Sequence, residues 1–203
     1  MGAWVNMILF QCMFVFTLLL NWRMTWTRLE KFRAQIHLER GVRDWVAVTQ
    51  EYHALDQFVD ELWRYRNFGT AVVAFLAMSF SSMLSGILVG VSCKEVTWEI
   101  VYFSWASLHA AFLVTSLFAM ASISSRCRSR ERNRESIFYM SMQHFGRVPT
   151  AHRLDHEIFV KLVQWNPVGV ECGPLGRITM HGAAIVFRIL IVLLPSAISF
   201  ASI

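Results

Sequence analysis

Formal charge is almost missing where this chain is most apolar. Across Ala3 to Leu20, Phe68 to Ser92 and Ile100 to Ser124 there is no Asp, Glu, Lys or Arg, and a fourth run from roughly Ile178 to Ile203 carries only Arg188 and a histidine, His181. That absence excludes a soluble globule. Cysteine is scarce, with 4 in 203 residues. Cys12 falls inside an apolar run, Cys93 lies between two of them, and Cys127 and Cys172 lie in charged stretches. No two would share an oxidising compartment, so no intrachain disulfide is expected. There is no Asn-x-Ser/Thr sequon, no glycine-rich phosphate loop and no Gly-x-Ser-x-Gly elbow. Ser85-Gly86 and His109 have no acidic partner to complete a hydrolase triad. No enzyme is read here, no catalytic residue is named, and no cofactor is implied.

What is present is four runs near the ~20 apolar residues that a helix needs to cross a ~30 Å hydrocarbon core. Backbone groups cannot stay unpaired in lipid, and the runs are too long for barrel strands, so each reads as a helix. Of 19 Lys and Arg, 8 fall between Arg23 and Arg66 and 9 between Arg126 and Arg177; only Lys94 and Arg188 lie outside these blocks. Four crossings place both basic blocks on one side and the loop Cys93 to Glu99 on the other. By the positive-inside rule the basic side is cytoplasmic and both termini lie outside. A cleaved signal peptide is excluded at the first run, which has no basic residue before it and no small-x-small site after it. Asn6 stands where a myristoylation signal needs Ser or Thr. The mean hydropathy of +0.43 makes the pI near 9.3 a property of cytoplasmic loops, and no nucleic-acid partner is expected.

The fold class is therefore an all-α, polytopic membrane helical bundle of four crossings with long cytoplasmic helical extensions. The segments are 1–20, 68–92, 100–124 and 178–203 for the crossings, 21–67 and 125–177 for the cytoplasmic helices, and 93–99 for the outer loop. Trp22, Trp26, Leu29, Phe32 and Ile36 recur at helical spacing, so the first crossing continues as an amphipathic rod. Trp45, Val48, Tyr52, Leu55, Val59 and Leu62 mark a second rod. Ile137, Met140 and Phe145 mark a third. Leu154, Ile158, Leu162 and Trp165 mark the apolar face of a fourth, which Asn166-Pro167 stops. A stretch with Gly169, Gly173, Pro174 and Gly176 then leads into the last crossing.

Several constellations admit two readings. His152 and His156 share a helical face, as metal ligands do, or form a surface pair beside Asp155 and Glu157; the second is preferred, and no metal site is assigned. The run Arg128 to Glu135 is a binding face for anionic lipid or a solvated mixed-charge helix. In the third crossing Trp98, Tyr102, Trp105 and His109 form one stripe, which is either a ligand pocket or an aromatic belt with ordinary packing. Arg188 either snorkels to the cytoplasmic surface or faces a pore, because at the bilayer centre it costs about 2.5 to 3.5 kcal/mol.

The order of these parts resembles the second half of arthropod gustatory receptors, in the superfamily that also holds the insect odorant receptors. The resemblance rests on Tyr52-His53-Ala54-Leu55 leading into the second crossing, on Phe159 to Trp165, and on Glu171-Cys172-Gly173-Pro174-Leu175 ahead of the final helix. It covers nearly the whole chain and aligns its crossings with the family's fourth through seventh. It implies a ligand-gated cation channel of the plasma membrane that answers a small-molecule tastant and assembles as a homo- or hetero-tetramer. It also implies pore-lining positions at Phe187, Arg188, Ile191, Leu194 and Pro195. The family's final helix usually carries Thr-Tyr, five apolar residues and Gln-Phe; here the span reads Phe187-Arg188, Ile189 to Leu193, Leu194-Pro195. The alternative is a small four-helix membrane scaffold or accessory protein without a pore.

Overall fold

The computed structural model describes residues 2–38, 43–64, 68–93, 96–127, 135–146, 148–172 and 176–201, with the side chains of 2–4, 38, 190 and 193–201 outside that description. Among the described residues seven α-helices follow one another: α1 (Gly2–Leu38), α2 (Trp45–Arg64), α3 (Phe68–Ser92), α4 (Val96–Cys127), α5 (Ile137–Gln143), α6 (Arg153–Trp165) and α7 (Met180–Ala201). Among the described residues there is no strand, only one antiparallel bridge between Glu171 and Arg177.

Three of these helices, α1, α3 and α4, are long and apolar enough to cross a membrane. On α1 the side chains of Leu9, Phe10, Met13 and Phe16 are each more than half exposed. A contiguous apolar face of that kind belongs in lipid or against another protein. The chain is thus a membrane-embedded helical protein. The fourth apolar helix, α7, packs against α3 and α4, and its described apolar part runs Met180–Ile189.

The tightest helix pair in the membrane part is α3 with α4. Gly86 and Gly90 make it so: a Cβ on Gly86 would lie 3.1 Å from the Tyr102 carbonyl oxygen and 3.2 Å from the Ala106 Cβ. In lipid, helices gain little from apolar burial alone, so small residues four apart that let backbones approach are the usual device. The spacing is legible in the sequence as Gly86-Ile-Leu-Val-Gly90. α4 also begins earlier than the sequence reading placed it, at Val96, which shortens the expected outer loop from its 99 end. Lys94 lies outside the described residues.

Beyond the apolar part, the second half of α1 joins α2, α5 and α6 in a polar bundle. Leu29, Phe32 and Ile36 of α1 and Trp45, Tyr52, Leu55 and Val59 of α2 are buried there, as the helical spacing predicts. Arg43 closes the C-terminus of α1 by donating to the Ile36 carbonyl at 2.7 Å and the Gln35 carbonyl at 3.1 Å. The Asp44 carboxylate accepts from the Val46 and Ala47 amides, which starts α2 as an N-cap does. Trp63 Nε1 donates to Thr25 Oγ1 at 3.0 Å and Trp22 Nε1 to Ser122 Oγ at 2.8 Å, so α1 is pinned to both α2 and α4.

Two expectations for this region are corrected. The apolar face assigned to α6 is largely turned outward: Leu154, Ile158 and Trp165 are exposed and only Leu162 packs partly on the core, while His156, Phe159, Val160 and Val163 are buried. Both sets satisfy helical spacing, and the buried set prevails because Phe159 fits among Phe32, Trp45 and Tyr52. α5 stops at Gln143, so Phe145 lies past its end and is partly exposed.

His156 is not a surface residue either. It is fully buried, edge-on to Trp45 with ring centroids 4.2 Å apart, and its Nε2 lies 2.9 Å from the Ser141 carbonyl, to which it donates. Burial pushes its imidazole below the ordinary histidine value; the Ser141 carbonyl works against this and Arg43 reinforces it. A folded value below the unfolded one means that the unfolded chain takes up the proton first as pH falls. The bundle is then most stable above about pH 6.5 and loses stability as pH drops through that value. The unfolding midpoint should fall between pH 7 and pH 5.5, and His156→Gln should flatten that fall.

Candidate functional site

Residues 166–172 and 176–178 form the two described arms of a hairpin between the polar bundle and α7, bridged at Glu171 and Arg177. Tyr52 is its anchor. Its hydroxyl donates to the Asn166 carbonyl at 2.8 Å, accepts from the Val168 amide at 3.1 Å and lies 3.2 Å from Cys127 Sγ. The Val168 amide also reaches Cys127 Sγ at 3.2 Å. Burial, with Cys127 beside it, holds the Tyr52 hydroxyl well above the ordinary tyrosine value, so it keeps its proton. Asn166 Nδ2 donates in turn to Asp56 at 3.0 Å. Burial and the neighbouring Asp60 raise the Asp56 carboxyl despite that bond.

The hairpin closes on itself through Cys172 N to the Gly176 carbonyl (2.9 Å) and Ile178 N to the Val170 carbonyl (3.0 Å). Gly176 sits at φ 63°, the left-handed region that suits glycine at such a turn. Gly169 has a different reason: a Cβ there would stand 2.5 Å from Ser124 Oγ, and that hydroxyl donates to the Ile178 carbonyl at 2.8 Å. A backbone carbonyl two residues ahead of α7 is therefore held by α4. Cys172 is fully buried with Sγ 3.8 Å from the Met120 sulfur, and burial pushes its thiol up to about 11, so it is no nucleophile. Gly173, Pro174 and Leu175 lie outside the described residues.

Glu171 adds an ionic clamp. Its carboxylate pairs with Arg64 of α2 and with Arg177 at 2.9 Å, and Arg64 also holds Asp60 at 3.0 Å. Burial alone would raise the Glu171 carboxyl, but the two guanidiniums outweigh it and hold it below the usual carboxylate range. The Glu171 carbonyl stands 3.0 Å from where a Cβ of Gly69 would be, so the hairpin also touches the start of α3. One short segment thus links α2, α3, α4 and α7. Glu171→Gln should lose the ionic part and cost about 1 kcal/mol, because the pairs are partly solvent-screened. High salt should erase the difference between the two proteins in thermal unfolding.

Among the residues expected to carry a ligand, the stripe on α4 is graded in depth. Trp98 is more than half exposed, Tyr102 and Trp105 are half-buried, and His109 is fully buried. Trp98 stacks loosely on Tyr102 (6.4 Å), and Trp105 meets His109 edge-on at 4.5 Å. None of the four lines the open concavity of about 600 Å³ on another face of α4, which is lined by Val96, Glu99, Ile100, Phe103, Ser104 and Ser107. Periodicity placed the stripe on α4; it could not show that α3 covers its deeper half.

On α7, Arg188 and Ile191 are exposed, while Phe187 is partly exposed and meets Phe118 of α4 edge-on with ring centroids 6.1 Å apart. Arg188 stands eight residues past the helix start at Met180, about 12 Å along the axis. The side chains of Leu194 and Pro195 lie outside the described residues. His152 is half-buried just ahead of α6 while His156 is fully buried, and no group of three potential metal ligands occurs among the described residues. In the run Arg128 to Glu135 only Glu135 is described; it is exposed and pairs with Arg126. Comparison with known family models, curated proteins and solved structures yields no match, so the reading of this site rests on its own geometry.

Proposed function

We propose that this chain is a gustatory-receptor-like, ligand-gated cation channel subunit or a truncated C-terminal fragment of one. Its basic bundle is cytoplasmic, α7 is a fourth crossing, and subunits assemble as a homo- or hetero-tetramer around α7. The observation that carries this reading is the hairpin, which ties the chain just ahead of α7 to Tyr52 and Arg64 of α2 and to Ser124 of α4, so that a change in helix packing would be passed to α7 as displacement. A small tastant that binds the open arrangement more tightly than the closed one would shift the balance between them. The exposed outer faces of α1 and α7 suit contact with lipid and with other subunits.

Arg188 favours the second reading, a membrane scaffold without a pore, since four guanidiniums around a fourfold axis would repel cations. Recording currents from the full-length receptor in oocytes or planar bilayers under a broad tastant panel separates the two. Ligand-evoked cation current supports the channel; its absence in a protein that reaches the surface supports the scaffold. In a conducting protein, Arg188→Glu should raise cation selectivity if the side chain faces the pore and leave it unchanged if the side chain snorkels. For the orientation, a membrane-impermeant maleimide applied to intact cells should label Cys93, the partly exposed cysteine at the α3 end, while Cys127 and Cys172 stay unlabelled because they are buried. Labelling of Cys93 only after permeabilisation would reverse the topology.

A further inference from the structure

Three polar side chains on three different helices are fully buried inside the membrane part: Gln11 on α1, Ser79 on α3 and His109 on α4. Every polar atom they carry, Oε1 and Nε2 of Gln11, Oγ of Ser79 and both ring nitrogens of His109, lacks a protein partner. Leaving a buried donor or acceptor unpaired is costly, and native structures rarely keep several.

These residues share one level of the bundle. Phe14, Phe75 and Phe112 form an aromatic layer, with Phe14 stacked on Phe75 at 4.4 Å and Phe75 against Phe112 at 6.5 Å. Gln11 precedes Phe14 by three residues, Ser79 follows Phe75 by four and His109 precedes Phe112 by three. Because α3 runs opposite to α1 and α4, each of these offsets is one turn toward the end away from the polar bundle, on the face the phenylalanine presents. The Trp22 to Ser122 bond gives the α1 to α4 register independently and sets Gln11 level with the stretch between His109 and Phe112. On the far side, Trp105 packs edge-on against His109 at 4.5 Å. His109 thus lies between the Phe112 ring and an indole, and Gln11 and Ser79 stand at its level on the two neighbouring helices. Ser116, also buried and unpaired, lies on the other side of the floor and is separate from this group.

We infer that Gln11, Ser79 and His109 form an internal binding site for a hydroxyl-bearing guest. A hydroxyl donates one hydrogen bond and accepts others. Here it would give its proton to Gln11 Oε1 or to a ring nitrogen and accept from Gln11 Nε2, from Ser79 or from the imidazole N–H. None of the three residues carries an acidic or basic group of fixed charge, and the flanking aromatics are apolar, so the site takes a neutral guest and rejects ions. Two sources supply this chemistry: water, and the hydroxyl end of a small alcohol whose tail lies on the phenylalanines. The inference needs only the packing of α1, α3 and α4 and stands whether or not α7 lines a pore.

The test uses the full chain in lipid nanodiscs with 15N-labelled histidine, with His109 assigned by its loss in His109→Phe. n-Butanol is the probe, and transfer of magnetisation from water to the imidazole is read without it. A saturable shift of the His109 nitrogens by butanol is the expected result. With it comes a rise in unfolding midpoint of about 5 to 10 °C at a hundredfold excess over the dissociation constant. Both should vanish in Gln11→Met/Ser79→Ala/His109→Phe and weaken in Ser79→Ala, which serves if the triple variant does not fold. Magnetisation transfer from water with no response to butanol upholds the site with water as its guest. Absence of both, or a butanol effect that persists in the triple variant, overturns the inference.

Discussion

Tyr52→Ala is expected to lower the folding stability of the chain by about 3 to 5 kcal/mol, and Tyr52→Phe by about 1 to 3 kcal/mol. The larger loss combines the cavity left under Phe32 and Phe159, which both pack on the ring, with loss of the hydroxyl. Phenylalanine keeps the packing and isolates the polar part: the Asn166 carbonyl loses its donor, and the Val168 amide is left with Cys127 Sγ alone. Unfolding midpoints of both variants in nanodiscs give the two values. If the hairpin couples the bundle to α7, Tyr52→Phe in a conducting receptor should also raise the ligand concentration needed for half-maximal current while leaving the single-channel conductance alone. Equal losses for Ala and Phe would show that the hydroxyl carries the whole effect, and no loss for Phe would remove the hairpin bonds from the account of coupling.

The second large effect belongs to Gly86. Leucine at this position would drive its side chain against the Tyr102 backbone and the Ala106 methyl, which sit 3.1 and 3.2 Å from the first added carbon. The Tyr102 oxygen is main chain and cannot swing aside, so α3 and α4 must separate. Overpacking of this kind costs about 1 to 3 kcal/mol, and here it also opens the interface that buries Met83, Ile87 and Ala106. Gly182 provides the control. A Cβ there meets nothing closer than Thr179 Oγ1 at 3.5 Å, so Gly182→Ala should leave stability unchanged or raise it slightly. A measured order in which the control is the more damaging of the two would show that α3 and α4 are not packed as described.

The sequence carried most of the membrane part, because lipid imposes a length and an apolar composition that a reader can count. Phe68 to Ser92 is α3 to the residue. The stripes of α2 and of the second half of α1 were equally plain, since only one face of each is apolar. α6 was not plain. Leu154, Ile158 and Trp165 and the set Phe159, Val160 and Val163 are both apolar and both periodic, and only the shape of the space beside Tyr52 selects between them. The candidate site was legible in part for the same reason. The Gly and Pro content of 169–176 marks a turn, but nothing local to it announces that its amides and carbonyls are answered by Tyr52 and Ser124, which stand 116 and 54 residues away along the chain. His156 illustrates the limit for polar residues, because its burial depends on Trp45 and Phe145 from two other segments.

α1 runs unbroken from Gly2 to Leu38, with no proline in it, through both the apolar part and the polar bundle. At 1.5 Å per residue it is a bar of about 55 Å. A tilt of about 5° at one end carries the other through about 5 Å, which is nearly the rise of a whole helical turn. The helix is in this sense a lever, and small adjustments around Gln11 are geometrically enlarged by the time they reach Ile36.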